Sequence, residues 1–171
     1  MDYKIIQMQA FKIIGFQKEF SYENSYVEIP KFWDEICKKY LNNAYADIKP
    51  KTAYKKAIID NGIGDYAVCI DDLKDGKFRY IIAGKYTGGE IPDGMTIHEF
   101  PAHTWAIFDC IGPNPETLQK VNTHFFIEWL PENPDYELCE NSNIEWYDCA
   151  SDTSADDYHS QIWIPVKPKN K

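Results

Sequence analysis

One acid stands inside an apolar, aromatic run, Ile144-Glu145-Trp146-Tyr147. The run is rich in strand-forming residues. In a strand alternate side chains share a face, so Glu145 and Tyr147 point one way and Ile144 and Trp146 the other. Two readings are open. With Ile144 and Trp146 in the core, Glu145 and Tyr147 face water and carry no chemistry. With Glu145 turned inward among rings, its charge is costly to desolvate unless something neutralises it. A positively charged ligand would do so, and each neighbouring ring adds roughly 0.5–2 kcal/mol of cation–π attraction. Burial also raises a carboxyl pKa, which suits a general base working near neutrality.

Other aromatics are candidates to wall such a site. Tyr66 lies just inside the strand-like run that follows the first helical segment, the place Glu145 takes in the second half. Trp33 lies on that helix's apolar stripe, Trp105 and Trp163 in strand-like runs, and Tyr158 just before the last of them. Each taken singly is more often core than pocket. The histidines, His98, His103, His124 and His159, have no Cys or His partner at ligand spacing, so no metal site is expected. Whether His103 and His124 meet in space is open. No phosphate-binding, dinucleotide-binding or nucleophile-elbow motif occurs, and no cofactor is expected. The glycines of 86–95 read as a turn.

The elements that must hold these residues form two copies of one pattern. The strand-like runs 10–17 and 102–109 each precede a helical segment, 29–41 and 115–130, with apolar residues at three-and-four spacing. Pro115 and Glu116 suit a first turn, and Pro131 a stop. Two strand-like runs follow each helix, 65–72 with 77–86 and 143–150 with 160–167. A further run, 95–100, leads into the second half. The chain thus reads as a single domain of two β-α-β-β pseudo-repeats, about 1–90 and 95–168. The expected class is α+β, an antiparallel sheet with two long helices on one side and a pocket at the concave face or the seam.

Composition narrows the partners. A net charge of −9 repels phosphate backbones, so direct nucleic-acid binding is disfavoured. The 5 Cys show no C-x-x-C pair, which argues against a disulfide framework or zinc. Cys37, Cys69 and Cys110 read as small buried hydrophobes. Reduced thiols, together with an N-terminus lacking a secretory pattern, lead to an expected cytoplasmic location. No apolar run approaches the ~20 residues of a membrane span.

The helix ending Trp129-Leu130-Pro131, the strand Ile144-Glu145-Trp146-Tyr147 and the closing strand Ile162-Trp163-Ile164-Pro165-Val166 follow in an order that resembles the GyrI-like effector-binding domain of AraC-type and MerR-type transcription regulators. The resemblance covers nearly the whole chain and is strongest over 101–166. It implies a duplicated β-α-β-β architecture and a binding site for amphipathic cationic compounds. Glu145 would be the acid at the bottom of an aromatic pocket, Tyr147 the motif's tyrosine and Tyr158 a further wall, with Tyr66 and Trp33 as weaker matches. The closing strand departs from the family at Gln161, where an acid is common. At 171 residues the chain is expected to be all effector domain, without an attached DNA-binding domain. The expected function is therefore a stand-alone binder of amphipathic, lipophilic cations, related to transcription regulators. The alternatives are a small hydrolase of electrophilic compounds with Glu145 as base, or a protein acting on a regulator or gyrase partner.

Overall fold

The computed structural model describes residues 2–46 and 52–169. In chain order the elements begin with strands β1 (Tyr3–Met8) and β2 (Phe11–Ser21). Helix α1 (Ser25–Ile36) then runs through a π turn (Cys37–Leu41) into α2 (Asn42–Ala46), and α3 (Ala53–Asn61) follows. Next come β3 (Tyr66–Ile70), β4 (Lys77–Lys85), β5 (Thr96–Phe100) and β6 (His103–Ile111). Helix α4 (Glu116–His124) continues through a second π turn (Phe125–Trp129) into α5 (Leu130–Glu132). Strands β7 (Tyr136–Leu138), β8 (Ser142–Tyr147) and β9 (His159–Pro168) close the chain. The protein is α+β, every described strand pair is antiparallel, and the β-α-β-β pattern occurs twice, as β2-α1-β3-β4 and β6-α4-β8-β9. Among the described residues, no helix is long and apolar enough to cross a membrane.

The chain forms two compact units, Phe11–Phe100 and Met1–Ala10 with Pro101–Lys171. In the first, the strand order is β5-β2-β4-β3. The run at 95–100, which leads into the second half as expected, pairs with β2, Phe11 opposite Phe100. The helical face of this sheet is aromatic. Phe16 stacks on Tyr40 at 4.5 Å and Phe20 meets Phe32 at 5.8 Å between ring centroids. Helix α3, not foreseen from the sequence, is bounded by two local signals. The Thr52 side chain accepts the Lys55 N–H at 3.2 Å, and Gly62 closes the helix at φ 60°. Its end lies close on β4, where a Cβ added at Gly84 would fall 1.9 Å from the Asn61 carbonyl oxygen.

In the second unit the order is β1-β6-β9-β8, with β7 also against β9. Helix α4 begins at Glu116, as the sequence predicts, and lays Leu118, Val121 and Phe125 on Ala106, Phe108 and Cys110 of β6 and Ile162, Ile164 and Val166 of β9. Each buried aliphatic or aromatic side chain here contributes roughly 1.5–3 kcal/mol. A π turn widens the helix by a residue and redirects its inward face. One π turn interrupts the helix of each repeat, with Leu41 buried in one and Phe125 in the other. Phe125 is fully buried and sits against Phe108 and Trp129.

Candidate functional site

The ladder between β8 and β9 fixes where Glu145 points. Glu145 pairs with Ile162, and Tyr147 with Ser160. Ile162 belongs to the core beneath α4, and Tyr147 packs against that same core. Directly paired residues share a face, so Glu145 and Tyr147 occupy the helix-covered side, with Ser160 and Cys110 adjoining in register. Ser160 and Cys110 are fully buried. The sequence left the facing of Glu145 open, and the register decides for the inward alternative.

Glu145 as a residue is only half-buried, yet its carboxyl group is crowded by protein. Burial pushes the carboxyl above the usual carboxylate range, against the opposing hydrogen bond from Tyr147. The Tyr147 hydroxyl donates to Glu145 Oε2. Among the described residues, no lysine or arginine pairs with Glu145. The nearby Cys110 thiol is pushed up to about 12, by burial first and then by Asp109 and Glu145. An apolar setting with a single neutral donor and no basic partner leaves a carboxylate whose charge is only partly compensated.

The opposite face of the same sheet carries a polar chain. Trp163 Nε1 donates to Gln161 Oε1 at 2.8 Å, and Gln161 Nε2 donates to Asp109 Oδ1 at 2.8 Å. His159 Nε2 lies 3.1 Å from the same oxygen, and the His159 ring meets Trp146 edge-on at 5.6 Å. Gln161 thus replaces an acid on its own strand but faces one, Asp109, directly across the ladder. Burial opposes ionisation of Asp109, but hydrogen bonds from Gln161 and His159 and the charge of Lys4 outweigh it, so the carboxyl falls below its ordinary value. Trp105 and Trp163 lie on this face, away from Glu145, because they pair with Pro165, Ile107 and Ile144. Tyr158 is buried just before β9, its hydroxyl pushed up to about 12 by burial, Cys149 and Asp148.

The remaining two candidates belong to the Phe11–Phe100 unit. Trp33 donates its Nε1–H to the Tyr80 hydroxyl at 2.9 Å on the helical side. Tyr66 pairs with Ala83 and therefore lies on the other face from Tyr80, raised in pKa by burial and Asp65. Cys37 and Cys69, expected to be buried, are half-buried, whereas Cys110 is buried as expected.

Two surface depressions lie apart from Glu145. One of about 270 Å³ is lined by Lys39, Tyr40, Asn43, Thr52, Tyr54, Lys55 and Ile58, and its lysines repel a cation. The other, about 420 Å³, runs along Glu116, Gln119, Lys120, Thr123, His124 and Glu128.

Sequence reading missed a third cluster. His103 and His124 do not share partners. His124 Nδ1 is 3.0 Å from Glu128, whereas His103 Nε2 bonds Glu140 Oε1 and His103 Nδ1 lies 3.5 Å from Cys139 Sγ. No local spacing could show this, since His103 and Cys139 lie far apart in the chain. Among the described residues no group of three or more His, Cys, Asp or Glu is arranged to hold a metal.

A family model described as integron-associated effector binding protein matches residues 4–166. The fold resembles that of SAV2435, solved bound to tetraphenylphosphonium, at 21% identity and TM-score 0.74, covering 98% of this chain and 94% of that one. It also resembles an integron cassette protein from the mobile metagenome of Vibrio cholerae, at 14% identity and TM-score 0.59, covering 96% and 95%. The EcmrR C-terminal domain matches at 15% identity and TM-score 0.56, covering 97% of each chain. No curated protein sequence matches.

Proposed function

The chain belongs to the family of integron-associated effector binding proteins, and from that membership we propose that it binds small lipophilic cations with Glu145 as their countercharge. The GyrI-like resemblance of the sequence agrees with this family, and small-molecule binding is its business. What carries the finer reading is Glu145 itself, an inward carboxyl bonded by Tyr147 with no lysine or arginine partner among the described residues. A permanently charged, hydrophobic guest gains there twice. It neutralises a poorly solvated anion, and its own apolar surface leaves water at about 25 cal/mol per Å². Tyr147 is the ring beside the charge. The solved SAV2435 complex holds a guest of this class, which supports the reading by kinship of fold. Five free cysteines support a reducing, cytoplasmic setting for the proposed sensor, and a regulator protein is the proposed reader of its occupancy.

Thermal shift with a charge-matched pair of probes tests the reading. Tetraphenylphosphonium and tetraphenylborate have nearly the same shape and opposite charge. The cation is expected to raise Tm and the anion to leave it unchanged. Equal shifts from both would show a site that reads shape alone, and the assignment to Glu145 would fall.

A further inference from the structure

Away from Glu145, the segment after β7 builds a thiol site. Cys139 is fixed at the backbone, where its N–H donates to the Pro165 carbonyl at 3.0 Å. Its Sγ lies 3.5 Å from His103 Nδ1. On the other side of the ring, His103 Nε2 bonds Glu140 Oε1, and the Ser142 hydroxyl lies 3.5 Å from Glu140 Oε2. The His103 side chain is 14% exposed and that of Glu140 34%, so the imidazole is held while the approach stays open to solvent. A carboxylate beside Nε2 accepts a hydrogen bond from the N–H there, which leaves Nδ1 as the acceptor facing sulfur. This is the order nucleophile, base and orienting acid that activates a thiol.

We propose that Cys139 is a nucleophilic thiol that captures small soft carbon electrophiles, α,β-unsaturated carbonyl compounds in particular, with His103 as its base and Glu140 as the positioning residue. The thiol keeps its proton at rest, since burial and the Glu140 charge raise it and only Lys167 acts the other way. Attack therefore depends on the base. As Sγ bonds to the β-carbon, the S–H bond breaks and its proton moves to His103 Nδ1. The C=C electron pair shifts to the α-carbon as an enolate, which takes that same proton. The product is a thioether adduct, with no atom lost and no net oxidation.

Brief labelling of the whole protein with substoichiometric N-ethylmaleimide at neutral pH, followed by peptide mass spectrometry at all five cysteines, tests the proposal. Cys149 is exposed and serves as an internal clock. Cys139 is expected to label faster than Cys149, and His103→Gln to slow Cys139 at least ~tenfold relative to Cys149. Glu140→Gln is expected to slow it by a smaller factor. Where His103→Gln opens the fold, buried Cys110 becomes labelled, and Glu140→Gln then decides alone. Cys139 labelling no faster than Cys149, or an unchanged Cys139 to Cys149 ratio in the deciding variant, overturns the proposal.

Discussion

Tyr147 donates its hydroxyl to the carboxylate of Glu145, its neighbour two places back on the same face of β8. The bond favours the charged form, while burial favours the neutral form and prevails. Removing the donor as Tyr147→Phe leaves burial unopposed, so Glu145 is expected to hold its proton to still higher pH. The pH at which affinity for tetraphenylphosphonium sets in should move upward in this variant. Calorimetric titration at several pH values checks this, and an unshifted pH profile would separate Tyr147 from the carboxyl.

Stability should move opposite to binding. The folded-state pKa of Glu145 lies above the unfolded one, so ionisation costs stability as pH rises from the ordinary carboxylate range through the raised value. Below that range the cost is absent. Glu145→Gln keeps an acceptor for Tyr147 and removes the charge. It is expected to raise Tm at neutral pH, by about 2–4 °C for each kcal/mol relieved, and to leave it unchanged in mild acid. Calorimetry of both proteins at the two pH values checks the sign.

Asp109 should behave in the reverse sense. Its folded pKa is lowered, so it contributes stability above the ordinary carboxylate range that is lost as pH falls through the folded value. Its side chain is 33% exposed, which screens the interaction. Asp109→Asn should cost about 0.5–1 kcal/mol at neutral pH and little at acid pH, read by denaturant midpoints.

How much of this was legible in the sequence follows from the range of each interaction. The long helices were visible because Leu118, Val121 and Phe125, and Phe32 and Ile36, repeat at helical spacing. The first π turn was not, since Cys37 and Tyr40 fit an unbroken three-and-four spacing and mask the five-residue step from Ile36 to Leu41. Helix α3 had its signals in Thr52 and Gly62 but buries little, only Ala57, Ile58 and Asn61, and so shows a weak stripe. Strand β1 is largely exposed and lacks clean alternation. The facing of Glu145 escaped alternation because both faces of β8 are covered. Ile144 is buried on one side while Tyr147 packs on the core of the other. The Cys139 and Asp109 clusters join residues far apart in the chain, which no local pattern reveals.

The close seat of α3 on β4 makes a separate prediction about the fold. Gly84→Ala puts a Cβ against the Asn61 carbonyl, backbone on backbone, which cannot yield as a flexible side chain would. A loss of about 1–3 kcal/mol or more is expected, seen as a lower denaturant midpoint with Cys139 labelling unchanged in the folded protein.

The central claim is that Glu145 supplies the charge that holds a cationic guest. Isothermal titration of tetraphenylphosphonium into the wild-type protein and into Glu145→Gln at neutral pH measures it most directly. The account predicts a Kd at least about tenfold weaker in the variant, a loss of 1.4 kcal/mol or more, from a protein that is no less stable. Equal dissociation constants in the two proteins would contradict it.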